Sequence, residues 1–258
     1  MKTQPILTRL ASVAACSAFG LLTQCAPTSS GSGSGNPSTA SVASPFVNSI
    51  GMKFVPVPGT KVLMCTTETS VAQYQLAGRG YPAPFYNQGY NHPAANLKWD
   101  DAKAWCDWMS AKEGRKYRLP TSAEWNAAAG GSTYPWGEEW PPATASGLYN
   151  YCGQEWRDAS PADLAHLKDL WKSNAGKGTK GLITGFKDPY LYTAPVDSGT
   201  TNGLGLHNLG GNVWEWCESR ALRGGSWADN DKVYVNQRAI VTSPLYDFDN
   251  GFRCVIEN

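Results

Sequence analysis

The pattern of apolar and capping residues predicts four helical segments along the chain. Trp99, Ala102, Cys106 and Met109 fall on one face of a 3.6-residue period and predict a helix against a core. Thr69 reads as the N-cap of a run through Ala77. Thr121-Ser122-Ala123-Glu124 has the form of a capping box opening a short helix to Ala129. Ser160-Pro161 starts another through Trp171, with Leu164, Leu167 and Leu170 on its apolar side. The rest is short strand-like pieces and long loops rich in Gly, Pro and Trp, without an internal repeat. The pattern predicts a loop-rich α+β domain.

The final stretch breaks every period. Arg223-Gly224-Gly225-Ser226-Trp227 and Asn250-Gly251-Phe252-Arg253-Cys254 have the look of structural clamps. Their glycines permit close backbone approach, Trp227 and Phe252 bury large apolar areas, and the arginines supply planar forks of donors. Residues 228–250 between them neither alternate nor follow a helix and mix Asp, Asn, Tyr, Val, Ile, Thr, Leu and Phe. A fixed frame around an unpatterned middle predicts that the middle is displayed.

Charge and address narrow the function. A formal charge of +1 gives no reason to expect a polyanion, so nucleic acid is not an expected partner. Lys2 and Arg9 precede an apolar run over 10–22, too short to span a bilayer but suited to export. The run ends at Leu22-Thr23-Gln24-Cys25 and resembles a bacterial lipoprotein signal, with Cys25 as the lipidated residue and Gln24 where such signals carry a small residue. Val13-Ala14-Ala15-Cys16 fits the small-residue rule but leaves too little apolar length after Arg9, and an ordinarily cleaved secretory peptide is the alternative. The expected organisation is a signal over 1–24, a flexible Gly/Ser tether over 25–44 and one domain over 45–258. The exported protein would then be membrane-attached through its lipid, on the outer membrane or cell surface.

Beyond the signal stand Cys65, Cys106, Cys152, Cys217 and Cys254, without CxxC or Cys/His metal spacing. Export makes at least one disulfide expected, and the odd count leaves a thiol over. Composition leaves the pairing open.

Asn48-Ser49-Ile50-Gly51-Met52-Lys53-Phe54, Arg118-Leu119-Pro120-Thr121-Ser122-Ala123-Glu124-Trp125, Tyr134-Pro135-Trp136-Gly137, Thr193-Ala194-Pro195-Val196, Gly211-Asn212-Val213-Trp214-Glu215-Trp216, the Arg-Gly-Gly-Ser-Trp run and Gly251-Phe252-Arg253 occur in the order seen in the formylglycine-generating, sulfatase-modifying family. The resemblance covers nearly all of 45–258 and implies that family's variant of the C-type lectin fold. It does not by itself imply the chemistry. The family's oxidases carry two copper-binding cysteines shortly after Gly-Gly-Ser-Trp, and the matching positions here are Asp229 and Tyr234. Neither replaces a soft thiolate, so no copper and no oxidation are expected. The related iron-dependent branch needs clustered imidazoles, whereas His92, His166 and His207 are scattered.

The resemblance does imply structural calcium. One family site carries over to Asn208, Gly211, Val213 and Glu215, and the second to the side chains of Asn150 and Asp188 with the carbonyls of Tyr151 and Tyr190. A family disulfide carries over to Cys106 and Cys254.

The same scaffold with the same two flanks also occurs in variable proteins of diversity-generating retroelements, including treponemal lipoproteins. Their adenine-directed mutation cannot produce Lys, Gln, Glu, Met or Trp, and within 228–250 only Lys232 and Gln237 fall outside the reachable set. The leading expectation is a surface ligand-binding lipoprotein that meets a protein or host-surface molecule. Ala228, Asp229, Asn230, Val233, Tyr234, Asn236, Ile240, Thr242, Leu245, Tyr246 and Phe248 would form the site. Tyr234, Tyr246 and Phe248 would be its anchors, with Asp229, Asn230, Asn236 and Thr242 as polar readers. The alternatives are an oxidase of altered chemistry and a catalytically dead modulator of an active relative.

Overall fold

The computed structural model describes residues 36–140, 147–173, 181–233, 236, 240–242 and 248–258. Cys25 and the rest of the expected export signal lie outside them. Among the described residues no helix is long and apolar enough to cross a membrane.

Among the described residues, nine short strands form two sheets, accompanied by four helices. In chain order they are β1 (Phe46–Val47), β2 (Lys53–Pro56), β3 (Val62–Cys65), α1 (Val71–Gln75), α2 (Trp99–Glu113), β4 (Tyr117–Arg118), α3 (Ser122–Ala129), α4 (Pro161–Ser173), β5 (Trp214–Trp216), β6 (Ala221–Arg223), β7 (Val241–Thr242), β8 (Asn250–Gly251) and β9 (Val255–Glu257). The larger sheet runs β1-β2-β3-β9-β4 and the smaller β7-β6-β5-β8. The chain's last strand therefore inserts between β3 and β4, joining the two ends of the domain.

Alternation across this sheet divides the core. Leu63 and Cys65 of β3, with Cys254 and Ile256 at β9, face the cluster that α2 covers with Ala102, Trp105, Cys106 and Met109. Val62, Met64 and Val255 face the other way, toward Trp125 and Ala128 of α3. The predicted period of α2 is thus its buried stripe. Gly114 ends this helix in the left-handed region at φ 64°.

Thr121 and Glu124 form the predicted capping box of α3. The cap of α1 is Ser70, in a reciprocal box with Gln73, and not Thr69. Thr69 is engaged elsewhere: its N–H donates to Phe252 and its carbonyl accepts from Ala94. This helix is also shorter than the expected run, ending at Gln75 with turns over Leu76 and Ala77. The expected tether is corrected too over 36–44. Asn36 caps a 3-10 turn at Pro37–Thr39, Pro37 is buried, and Ala40 packs on the main core.

Candidate functional site

The two clamps are joined through Trp125 and Glu215. Its indole N–H donates to Glu215 Oε2 at 2.8 Å, and the Arg223 guanidinium lies 5.2 Å over its ring. Arg223 also donates to Asn126. Arg253 reaches Glu215 through Nε, at 2.9 and 2.8 Å to the two oxygens, and through Nη2 at 2.6 Å. The same guanidinium holds the carbonyls of His207 and Cys65 at 2.7 and 3.3 Å. The pairings Glu215↔Arg223 and Glu215↔Gly251 put β5 between the strand before the displayed segment and the strand after it.

Within 228–250, Val233, Ile240 and Phe248 are 58, 59 and 38% exposed, three of the eight exposed large hydrophobics among the described residues. A fourth, Phe85, touches the segment: its ring meets Phe248 at 4.8 Å edge-on and stacks on His166 of α4 at 4.6 Å. Below, Tyr86 stacks on Tyr192 at 4.6 Å and meets the buried Trp227 at 5.4 Å. The Tyr86 hydroxyl donates to the Phe248 carbonyl at 2.8 Å. A column of rings thus runs from the clamp to the surface. Sequence reasoning missed Phe85, Tyr86 and Tyr192; the aromatic pair set among Pro82, Pro84 and Tyr81 was the available signal.

The remaining expected readers divide. Ala228 and Asn236 are half-buried, and Asn230 donates to the Gly181 carbonyl. Thr242 lies in β7, opposite Ala221, so part of the unpatterned stretch is an edge strand. Tyr234, Leu245 and Tyr246 lie outside the described residues. Asp229 departs from the expected outward role. Its carboxylate turns back to accept from Ser226 N at 2.8 Å and Ser226 Oγ at 3.0 Å, because the tight turn after Trp227 brings it over those donors.

The two calcium sets differ in how well they suit a cation. In the first, Glu215 is committed to Arg253 and Trp125, while the Asn208 amide donates to Glu68 and to the Val196 carbonyl at 3.3 Å each. That arrangement does not fit calcium. The second set fits better. Asn150 Oδ1 is buried without a hydrogen-bond partner, and Asn150, Asp188, Tyr190 and Asn208 line one cavity of about 60 Å³. Asp188 accepts from the N–H groups of Tyr190 and Tyr151 at 2.8 and 3.2 Å, and burial, then Glu155, pushes its carboxyl up to about 8. An oxygen-rich cavity around a buried acid suits a hard cation.

Glu68 is a site residue the sequence reading missed. It is fully buried, accepts from Asn212 Nδ2 at 2.8 Å, and is pushed up to about 8, mainly by burial. A single acid directly after the apolar β3, flanked by threonines, was its signal.

All five described cysteines are buried thiols, and burial pushes each of them up, away from the reactive thiolate. Cys106 and Cys254 share one core cluster. His92 hydrogen-bonds Thr193, His166 stacks on Phe85, and His207 faces the Ser198 carbonyl.

Residues 44–258 match the Sulfatase-modifying factor enzyme 1-like domain. The formylglycine-generating enzyme of Streptomyces coelicolor is 30% identical over 196 residues, covering 64% of this chain and 52% of that protein. The inactive C-alpha-formylglycine-generating enzyme 2 of Bos taurus is 33% identical over 182 residues, 63% of this chain and 49% of that protein. The chain spans about half the length of these curated relatives. Treponema denticola variable protein 1 superposes with a TM-score of 0.53 at 20% identity, covering 76% of this chain and 84% of that one, a likeness of fold.

Proposed function

The chain belongs to the sulfatase-modifying factor enzyme 1-like family and has its loop-rich α+β, C-type lectin-type fold, and on that premise we propose that it is a non-catalytic binding protein displaying 228–250 to a ligand. The observation that carries this reading is the concentration of exposed Val233, Ile240 and Phe248 between two buried clamps, with Phe85 beside them. Exposed large apolar side chains concentrated in one segment, one of them in ring contact with Phe85, suit a contact site. Asp229 and Tyr234, at the positions of the family's copper cysteines, supply no thiolate, which supports the absence of catalysis.

In this reading the ligand is a protein or a host-surface molecule held noncovalently, Cys25 carries a lipid anchor, and retroelement mutation varies the segment. Calcium would sit at Asn150 and Asp188 as a structural ion. The decisive observation is genomic: a neighbouring reverse transcriptase gene and a near-copy of the DNA encoding 228–250, differing at adenines. Labelled palmitate should enter the exported protein, and Cys25→Ser should abolish the label. Copper-dependent oxidation of a cysteine-bearing sulfatase peptide by the purified protein would overturn the reading.

The likeness to an inactive formylglycine-generating enzyme supports a second reading, a modulator that pairs with an active relative. Co-purification with such an enzyme, together with a change in its rate, would favour it.

A further inference from the structure

Three of the cysteines converge on one buried face. Cys65 closes β3, Cys254 precedes β9, and Cys106 sits on the inner stripe of α2. The register Leu63↔Ile256 and Met64↔Val255 continues outward to set Cys65 opposite Cys254, and the Cys65 N–H donates to the Cys254 carbonyl at 3.0 Å. Alternation sends both side chains to the α2 side, since both belong to the cluster containing Leu63, Ile256 and Cys106. Directly opposed residues of an antiparallel pair have Cα atoms about 4.5–5.5 Å apart, within the range a disulfide bridges.

We propose that Cys254 is a branch point with two alternative disulfide partners, the helical Cys106 implied by the family and Cys65, which faces it across the β3–β9 pair. Each bond consumes the two thiols and reduces one disulfide of an external oxidant, such as oxidised glutathione or a protein disulfide, to two thiols. The third sulfur stays a thiol. Which bond forms is settled during folding. Once the face closes, all three groups are buried, and burial pushes the thiols of Cys65 and Cys106, one of which is left over in either isomer, above their ordinary values. Exchange needs a thiolate, so the folded protein holds whichever isomer it closed with.

Chain cleavage makes the isomers distinguishable. Cutting after Lys and Arg releases Cys254 in 254–258, Cys65 in 62–79 and Cys106 in 104–112. The exported protein is denatured, reduced, refolded across a series of glutathione potentials, alkylated and mapped without reduction. The expected result is a 62–79/254–258 linkage beside 104–112/254–258, and its full replacement of the latter in Cys106→Ala. If neither wild type at any potential nor Cys106→Ala yields 62–79/254–258, the proposal is overturned. Should Cys106→Ala fail to fold, the wild-type series decides alone.

Discussion

Arg253 grips both carboxylate oxygens of Glu215 where neither residue sees solvent, and Trp125 donates to the same carboxylate. Removing one partner of such a pair leaves the other charged and buried, at a cost of about 3–5 kcal/mol. Glu215→Ala should therefore lose about that much in urea unfolding. Lys103→Ala, which breaks a solvent-exposed pair with Asp107, should lose less than about 1 kcal/mol. Equal losses would place Glu215 outside the frame.

Stability should fall as pH rises from 4.5 to about 8. Folded Glu68 keeps its proton up to about 8, whereas its ordinary value is 4.5. Below 4.5 both states are protonated and the full stability is present; above it the unfolded chain releases its proton first. Asp188, raised from 3.8 to about 8, acts with the same sign. Glu68→Gln should flatten the profile. Calcium at Asp188 favours the carboxylate and should also flatten it while raising the melting temperature. Melting temperatures that do not change with pH, and that calcium leaves unmoved, would refute both assignments.

Ile240→Ala should leave the fold intact, because that side chain is 59% exposed, and Phe85→Ala and Phe248→Ala, whose rings are 38% exposed, should cost less than loss of a buried ring. Trp227→Ala removes a fully buried ring contacting Tyr86, Trp156 and Tyr192, and should cost about 3–5 kcal/mol. Chemical denaturation and, on the proposed reading, binding to intact host cells separate the two classes. A Phe248→Ala protein that folds and still binds with wild-type affinity would remove Phe248 from the contact surface.

Gly211 adopts φ +83°, and a Cβ there would run into the Asn150 carbonyl. Gly211→Ala should cost at least about 2 kcal/mol from the backbone conformation and the clash together. It should also weaken any calcium response, since Asn150 would have to shift. A neutral effect in unfolding would show that the 150 and 211 turns are free to separate.

What could be read from sequence was local. Thr121 and Glu124 cap α3 with atoms three residues apart, and the α2 stripe repeats within its own helix. What could not was decided by distant pairing. Thr69 lost its capping role to Ser70 because Phe252 and Ala94 claim its backbone. Asp229 was legible as a substitution for a cysteine, but its inward turn depends on where Ser226 lies. Phe85 reaches the displayed segment from 163 positions away, through rings no spacing rule connects.

The placement of β6 and β8 on either side of β5 sets the two strands that flank residues 228–250 only two strand spacings, roughly 10 Å, apart. The frame therefore holds both ends of a closed loop whether or not the loop has any preferred shape. For such a loop, each doubling of length costs only about 0.6 kcal/mol in closure entropy. Insertions and deletions between the clamps and outside β7 should be tolerated alongside substitutions, so that, on the proposed reading, the scaffold could vary the reach of its binding surface as well as its chemistry.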